Sequence, residues 1–142
     1  MRADVTLAAM QAKLQMGLPA LLGIQIDSFA DGDVHMRLPI EPQLLAPNGF
    51  LHAASVIALA DTACGFACIA HLPEGAQNFT TIELKTNFLG TATAGILLAQ
   101  ARAVHLGRTT QVWDATVSHV ESKRTIAVFR CTQLVLWPKG AQ

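Results

Sequence analysis

Between His52 and Ala70 the chain reads HAASVIALADTACGFACIA, with no proline and a single formal charge, Asp61. Alanine and leucine dominate this run, so it is expected to form a helix of about five turns. A helix this apolar on all sides must be covered by something other than water. A bilayer fits poorly. The stretch falls just short of the roughly 20 residues a span needs, holds a carboxylate near its centre and lacks flanking Lys, Arg or Trp anchors. The expectation is a buried core helix, which makes Asp61 the anomaly. A carboxylate in such a setting has either a structural hydrogen-bonding partner or a chemical task.

The flanking sequence supplies the cover. After Gly23, the runs Ile24–Phe29 and Val34–Leu38 alternate apolar and polar residues around Ala-Asp-Gly-Asp, a hairpin signal. Pro39, Pro42 and Pro47 then break regular structure up to Asn48-Gly49, and Pro73 with Gly75 closes the helix. From Asn78 there is no proline until Pro138, and four extended runs fit: Phe79–Leu89, Ile96–Leu106, Thr109–Val120 and Thr125–Trp137. In the last, Ala127, Phe129, Cys131 and Val135 share one face, and Val128, Arg130 and Thr132 the other. Strands this long, joined by tight turns, suit a strongly curved antiparallel sheet. Residues 4–16 read as a short amphipathic N-terminal helix. The predicted class is α+β, a sheet of about six strands wrapped around one long helix, in a single domain spanning residues 1–142 without linker or repeat.

Composition narrows the function. Lys plus Arg equals Asp plus Glu at 10 each, so no basic footprint for nucleic acid or anionic membrane is expected. Only 14% of residues are charged against 51% hydrophobic, which favours apolar surface shared between subunits over a monomer. Cys64, Cys68 and Cys131 cannot all pair within the chain, and two of them sit in the apolar helix, so a reducing, cytoplasmic setting is expected. No further Cys or His completes a metal set, and no metal or cofactor is expected. The first residues do not form an export signal: Asp4 follows Arg2 and Lys13 interrupts the apolar run.

The layout, with NGFLHAASVIALAD opening the buried helix, resembles the hotdog-fold thioesterases, and more narrowly the phenylacetate-pathway (PaaI-like) acyl-CoA thioesterase group. Gly49, His52 and Asp61 keep that group's spacing of Gly-x-x-His followed nine positions later by a catalytic Asp. TTIELKTNFLG matches the group's strand after the helix, and AVHLGRTTQVWDATV its next turn, so the likeness covers about residues 20–137. The chain departs from the pattern in three places. His-Gly-Gly is His52-Ala53-Ala54, and Phe-Leu-Arg-Pro is Phe88-Leu89-Gly90-Thr91. The Asn common six residues before the His is Ala46, with Asn48 nearby instead. The resemblance implies a hotdog fold and hydrolysis of an acyl-CoA substrate to free acid and CoA. It also implies a homodimer, or a tetramer of paired dimers, with sites at the subunit interface. Asp61 is the implied base or nucleophile and the Ala53 N–H the oxyanion donor. Asn48, Gly49, Phe88, Gly107 and Arg108 are the implied substrate-binding positions. A hotdog hydratase or dehydratase and a non-catalytic acyl-CoA-binding protein are the alternatives.

Helix geometry adds its own constraint. The small residues Ala54, Ala58, Cys64, Gly65 and Cys68, with Ile57, fall on the Asp61 side of a helical wheel, opposite Val56, Leu59, Phe66 and Ala70. Free N–H groups of Ala53, Ala54 and Ser55 at the helix start can hold an oxygen that becomes negative. Ala53 and Asp61 are eight residues apart, roughly 12 Å along a helix axis. Reacting atoms must approach to roughly 3–3.5 Å, so one chain cannot use both groups on one carbonyl. An antiparallel two-fold dimer would join them. At Thr81 the resemblance implies a Ser or Thr that steadies water or substrate, whereas residue type alone fits an ordinary β-branched strand residue. His52 is either a helix cap or a group that orients the oxyanion loop, Asn48-Gly49 either shapes that loop or is a plain turn, and Arg108 either meets a phosphate or is solvated.

Overall fold

The long apolar run folds as expected, into helix α3 (Ala53–Ala70), in a computed structural model that describes residues 1–138. By length and composition α3 could cross a membrane, yet 61% of it is buried inside the fold. Its cover is one six-stranded antiparallel sheet: β1 (Gln25–Ala30), β2 (Asp33–Pro39), β3 (Asn78–Phe88), β4 (Ile96–Leu106), β5 (Thr110–His119) and β6 (Thr125–Leu136). The spatial order is β1-β2-β4-β5-β6-β3, so β1 and β3 form the edges. Predicted and observed strand ends agree to within a residue or so.

Alternation along the strands decides which face meets the helix. Val34, Met36 and Leu38 on β2, Leu97, Ala99 and Ala101 on β4, and Trp113 on β5 are all fully buried on the inner face. Alanines on both sides of the contact (Ala60, Ala63 and Ala67 on the helix, Ala99 and Ala101 on the sheet) let α3 sit low in the concavity. The curvature has identifiable causes. Single-residue register shifts fall at Asp27 in β1, Ile82 in β3 and Val104 in β4, and each bends its strand. The β1–β2 turn requires a left-handed residue, supplied by Gly32 with φ 68°.

The N-terminal helix forms as expected, as α1 (Leu7–Leu14), capped by Thr6 and anchored by buried Met10 and Leu14, and a second short helix follows it, α2 (Gly17–Leu22), none of whose residues is buried. Pro19 lies in the first turn of α2, where its missing N–H has no partner to lose. One expectation needs correction, that for the small face of α3. Cys64 and Cys68 are fully buried against the sheet, so the outward stripe is Ala54, Ala58, Asp61 and Thr62. Gly65 is closed over by the Phe79 ring, which would stand 3.1 Å from any added Cβ.

The far end of α3 is fastened by His71, its C-cap. Its Nδ1 bonds the Ala67 carbonyl at 2.7 Å, and its Nε2 lies 2.8 Å from Asp31 Oδ1 and 3.0 Å from the Gly32 amide nitrogen, tying the helix to the β1–β2 turn. A two-faced sheet predicts two kinds of mutant. Leu59→Ala, on the sheet-facing side of α3, should cost about 2–5 kcal/mol in denaturant unfolding. Val128→Thr, on the outer face of β6, should stay within about 0.5 kcal/mol of the wild type.

Candidate active site

The loop before α3 is built to present the helix start. The His52 N–H and the Ser55 hydroxyl both donate to the Leu44 carbonyl, at 3.0 and 2.9 Å, and the Leu51 N–H donates to the Ala92 carbonyl at 3.1 Å. Asn48 Oδ1 accepts from the Phe50 N–H at 3.2 Å, a local turn that shapes the loop, and Gly49 takes a left-handed φ of 84°. His52 is the N-cap: its Nδ1 accepts from the Ala54 N–H at 3.0 Å, which leaves the ring's remaining proton on Nε2. The Ser55 N–H goes to the His52 carbonyl at 3.0 Å. Of the three amides expected to be free, two are therefore taken. The exposed Ala53 N–H alone has no acceptor among the described residues.

Asp61 lies two turns further along the same helix, half-buried, with Oδ1 enclosed and without a hydrogen-bond partner. Burial pushes its carboxyl above the usual carboxylate range, and the Thr81 hydroxyl on β3 draws it part of the way back. Thr81 precedes the Ile82 bulge, a feature that re-aims side chains at sheet edges. Behind Asp61 the thiols are inert. The Cys131 contact and burial push the Cys64 thiol well up, and burial pushes Cys68 up to about 12. No group of three or more His, Cys, Asp or Glu side chains able to hold a metal occurs among the described residues.

The remaining predicted positions separate into two ends. Phe88 closes β3 at the end where α3 begins, opposite Ala127. The Gly107-Arg108 turn lies at the other end, where the Arg108 guanidinium stacks 4.9 Å over the Trp137 ring and the Trp137 indole donates to the Arg108 carbonyl at 3.2 Å. Gly107 has a structural reason, since a Cβ there would stand 2.5 Å from His105 Nε2 and 2.7 Å from the Thr110 carbonyl. One chain thus brings Asp61 to Thr81, and His52 to Ala53, but joins neither pair to the other. Edge strand β3 also leaves Ile82, Leu84 and Phe88 exposed at 54%, 41% and 45%. Leu84 and Phe88 pair with fully buried Cys131 and Ala127, so they face the helix side of the sheet beyond the reach of this chain's own cover.

Sequence reasoning missed Gln133, which occupies the core-facing position between Cys131 and Val135 and is fully buried. The signal was legible: a polar residue in the apolar half of a strict alternation.

Residues 48–130 match the thioesterase superfamily. The chain is 30% identical over 117 residues to the 1,4-dihydroxy-2-naphthoyl-CoA hydrolase of Listeria monocytogenes, covering 82% of this chain and 94% of that one. Among solved structures it superposes on a mutant thioesterase from Pseudomonas aeruginosa with a TM-score of 0.88, at 29% identity over 95% and 96% of the two chains. It superposes on the Escherichia coli PaaI protein of the phenylacetic acid degradation operon with a TM-score of 0.80, at 26% identity over 90% of each.

The raised pKa of Asp61 has a consequence for stability. A carboxyl titrating higher in the folded than in the unfolded chain favours folding below the ordinary carboxylate range, and loses that contribution as pH rises through its folded pKa. Asp61→Asn should therefore be more stable than the wild type in denaturant unfolding at about pH 7, and the gain should disappear at about pH 3.

Proposed function

This chain belongs to the thioesterase superfamily, and we propose that it hydrolyses an acyl-CoA thioester in a homodimer whose two active sites each draw on both chains. The observation that carries this reading is the pair of unmet groups on α3: a free Ala53 amide at its start and a partnerless Asp61 oxygen two turns on.

The geometry supports a specific symmetry. Asp61 stands level with Thr81 and Gly65 with Phe79, so α3 runs antiparallel to β3. The roughly 12 Å from Asp61 back to Ala53 corresponds to between three and four strand residues at about 3.4 Å each. Ala53 is then level with Leu84–Lys85, and the midpoint between the two half-sites falls near Glu83, the centre of Asn78–Phe88. A two-fold axis through the middle of β3 sets the Ala53 of each chain beside the Asp61 of the other. It also pairs the two open edges and covers Leu84 and Phe88.

In such a site the thioester oxygen accepts from the Ala53 N–H of one chain, with the positive end of the α3 dipole behind it. Asp61 of the other chain either takes a proton from an attacking water or bonds the acyl carbon itself, and the Thr81 hydroxyl favours its ionised form. The tetrahedral intermediate collapses by breaking the C–S bond, releasing CoA thiolate, which takes up a proton. Where Asp61 has bonded the acyl carbon, water then cleaves the resulting anhydride to the free acid and the Asp61 carboxylate. Asn48 and Gly49 shape the loop over the carbonyl, Phe88 lines the acyl side, and Arg108, steadied on Trp137, meets a phosphate of CoA. The hydrolase similarity and the CoA thioester named in the Listeria relative support the substrate class.

The Ala53 amide can be deleted cleanly. Ala53 is the first residue of the helix, where proline fits, and His52 has φ −69° and ψ 135°, the conformation a residue before proline favours. Ala53→Pro should keep the fold and lose about 10²–10³-fold in kcat for thiol release. Asp61→Asn should remove most turnover while staying folded. Wild-type rates in either variant would contradict the assignment, and water addition to an enoyl-CoA without thiol release would favour the hydratase alternative.

A further inference from the structure

One turn beyond Asp61, α3 is bare. Gly65 carries no side chain, and the tip of the Phe79 ring stands 3.1 Å from where a Cβ would be, so the ring lies against the helix backbone. Phe79 reaches there from the inner face of edge strand β3, opposite buried Val135, and bridges the gap between strand and helix. Asp61, Gly65 and Ile69 recur every four residues and share one side of α3, with Leu72 just past the helix end. The Phe79 ring crosses this stripe at its middle.

Beyond the ring, on the side away from Asp61, lies a groove of about 280 Å³. Ile69, one turn past Gly65, and Leu72 line it from the helix side. Gln77 and Asn78, immediately before Phe79, line it from the strand side, and Ala9 and Met10 of α1 contribute as well. Its charged lining residues are Lys13 and the mutually paired Arg2 and Asp4, 2.8 Å apart. Both elements that flank Asp61 therefore run on into this groove, and Phe79 is the side chain that stands between the two.

We infer that Phe79 is a specificity-determining residue: it is the end wall of the acyl site and keeps the acyl chain out of the groove. From Asp61 to Gly65 is roughly 6 Å along the helix, room for a short chain or a single aromatic ring beyond the thioester carbon. A long fatty chain needs the further turn to Ile69, roughly 12 Å from Asp61, and the ring bars that path. The inference rests on the acyl-CoA reading above and deepens it, because it narrows the substrate to compact acyl groups. The proposed symmetry adds a second ring. An axis near Glu83 sets the Phe88 of the other chain beside Asn78 and Phe79, at the same end of the site.

The test is thiol release from straight-chain substrates, acetyl-CoA to palmitoyl-CoA, with benzoyl-CoA as the single-ring probe. The wild type should favour butanoyl- and benzoyl-CoA over lauroyl- and palmitoyl-CoA in kcat/KM. Phe79→Ala should raise the ratio of lauroyl- to butanoyl-CoA kcat/KM by about tenfold or more, the effect of burying about two further methylenes. Adding Ala9→Trp, which places an indole on the groove lining, should cancel most of that rise. A wild type that prefers lauroyl-CoA, a ratio unmoved in Phe79→Ala, an equal loss on every substrate, or a rise that Ala9→Trp leaves intact would overturn the inference. If Phe79→Ala does not fold, Phe79→Leu keeps an apolar residue without the ring tip at Gly65 and should move the ratio the same way. Asp61→Asn separates the two readings. Loss of thiol release there upholds the proposed function whatever the ratio does, and wild-type rates there would strike that function itself.

Discussion

An α-helix holds two of its residues apart as firmly as a rod, and that rigidity governs the rest of this molecule. Ala53 and Asp61 sit at fixed heights on α3, roughly 12 Å apart, and the sheet clamps the helix along most of its length. The amide and the carboxylate are the two groups that could act on a thioester carbonyl, and neither can bend toward the other. Each is also unfinished as it stands, the amide without an acceptor and the carboxylate with an enclosed bare oxygen. We propose that a second copy related by a two-fold axis completes both heights and covers edge strand β3.

The packing explains why α3 tolerates such a residue. Its sheet-facing side carries Leu59, Val56 and a run of alanines that seat it deep in the concavity, and those contacts hold it whatever happens on the opposite side. The outward stripe of Ala54, Ala58 and Thr62 leaves room beside Asp61. The carboxyl is disfavoured there as a charge, and Thr81 offsets only part of that penalty. A group that costs the fold stability and leaves a buried oxygen without a hydrogen-bond partner is the kind of strain that collects at functional sites.

Much of this was legible in the sequence. Asp61 stood out because a helix otherwise free of charge contained it, and the strands declared themselves by alternation and by the absence of proline between Asn78 and Pro138. The proposal of a composite site was already prompted by residue spacing, which calls for a second chain if the amide and the carboxylate act together. What escaped depended on tertiary detail. A helical wheel placed Cys64 and Cys68 beside Asp61, but the sheet curves far enough round α3 to take both into the core. The first-turn amides looked equivalent until the His52 ring claimed that of Ala54 and left only that of Ala53. Arg108 read either as a phosphate contact or as a solvated turn cation, and nothing local shows that Trp137, 29 residues later, comes to lie beneath it.

The central claim is that each active site takes its amide from one chain and its carboxylate from the other, and mixing two dead chains tests it directly. Ala53→Pro and Asp61→Asn proteins, unfolded together and refolded at equal ratio, give hetero-dimers as about half of all dimers, each with one intact site of two. The account predicts recovery of about one quarter of wild-type kcat per chain, from two preparations that are each nearly inactive alone. Hetero-dimers that form but show no activity above the two parents would contradict it.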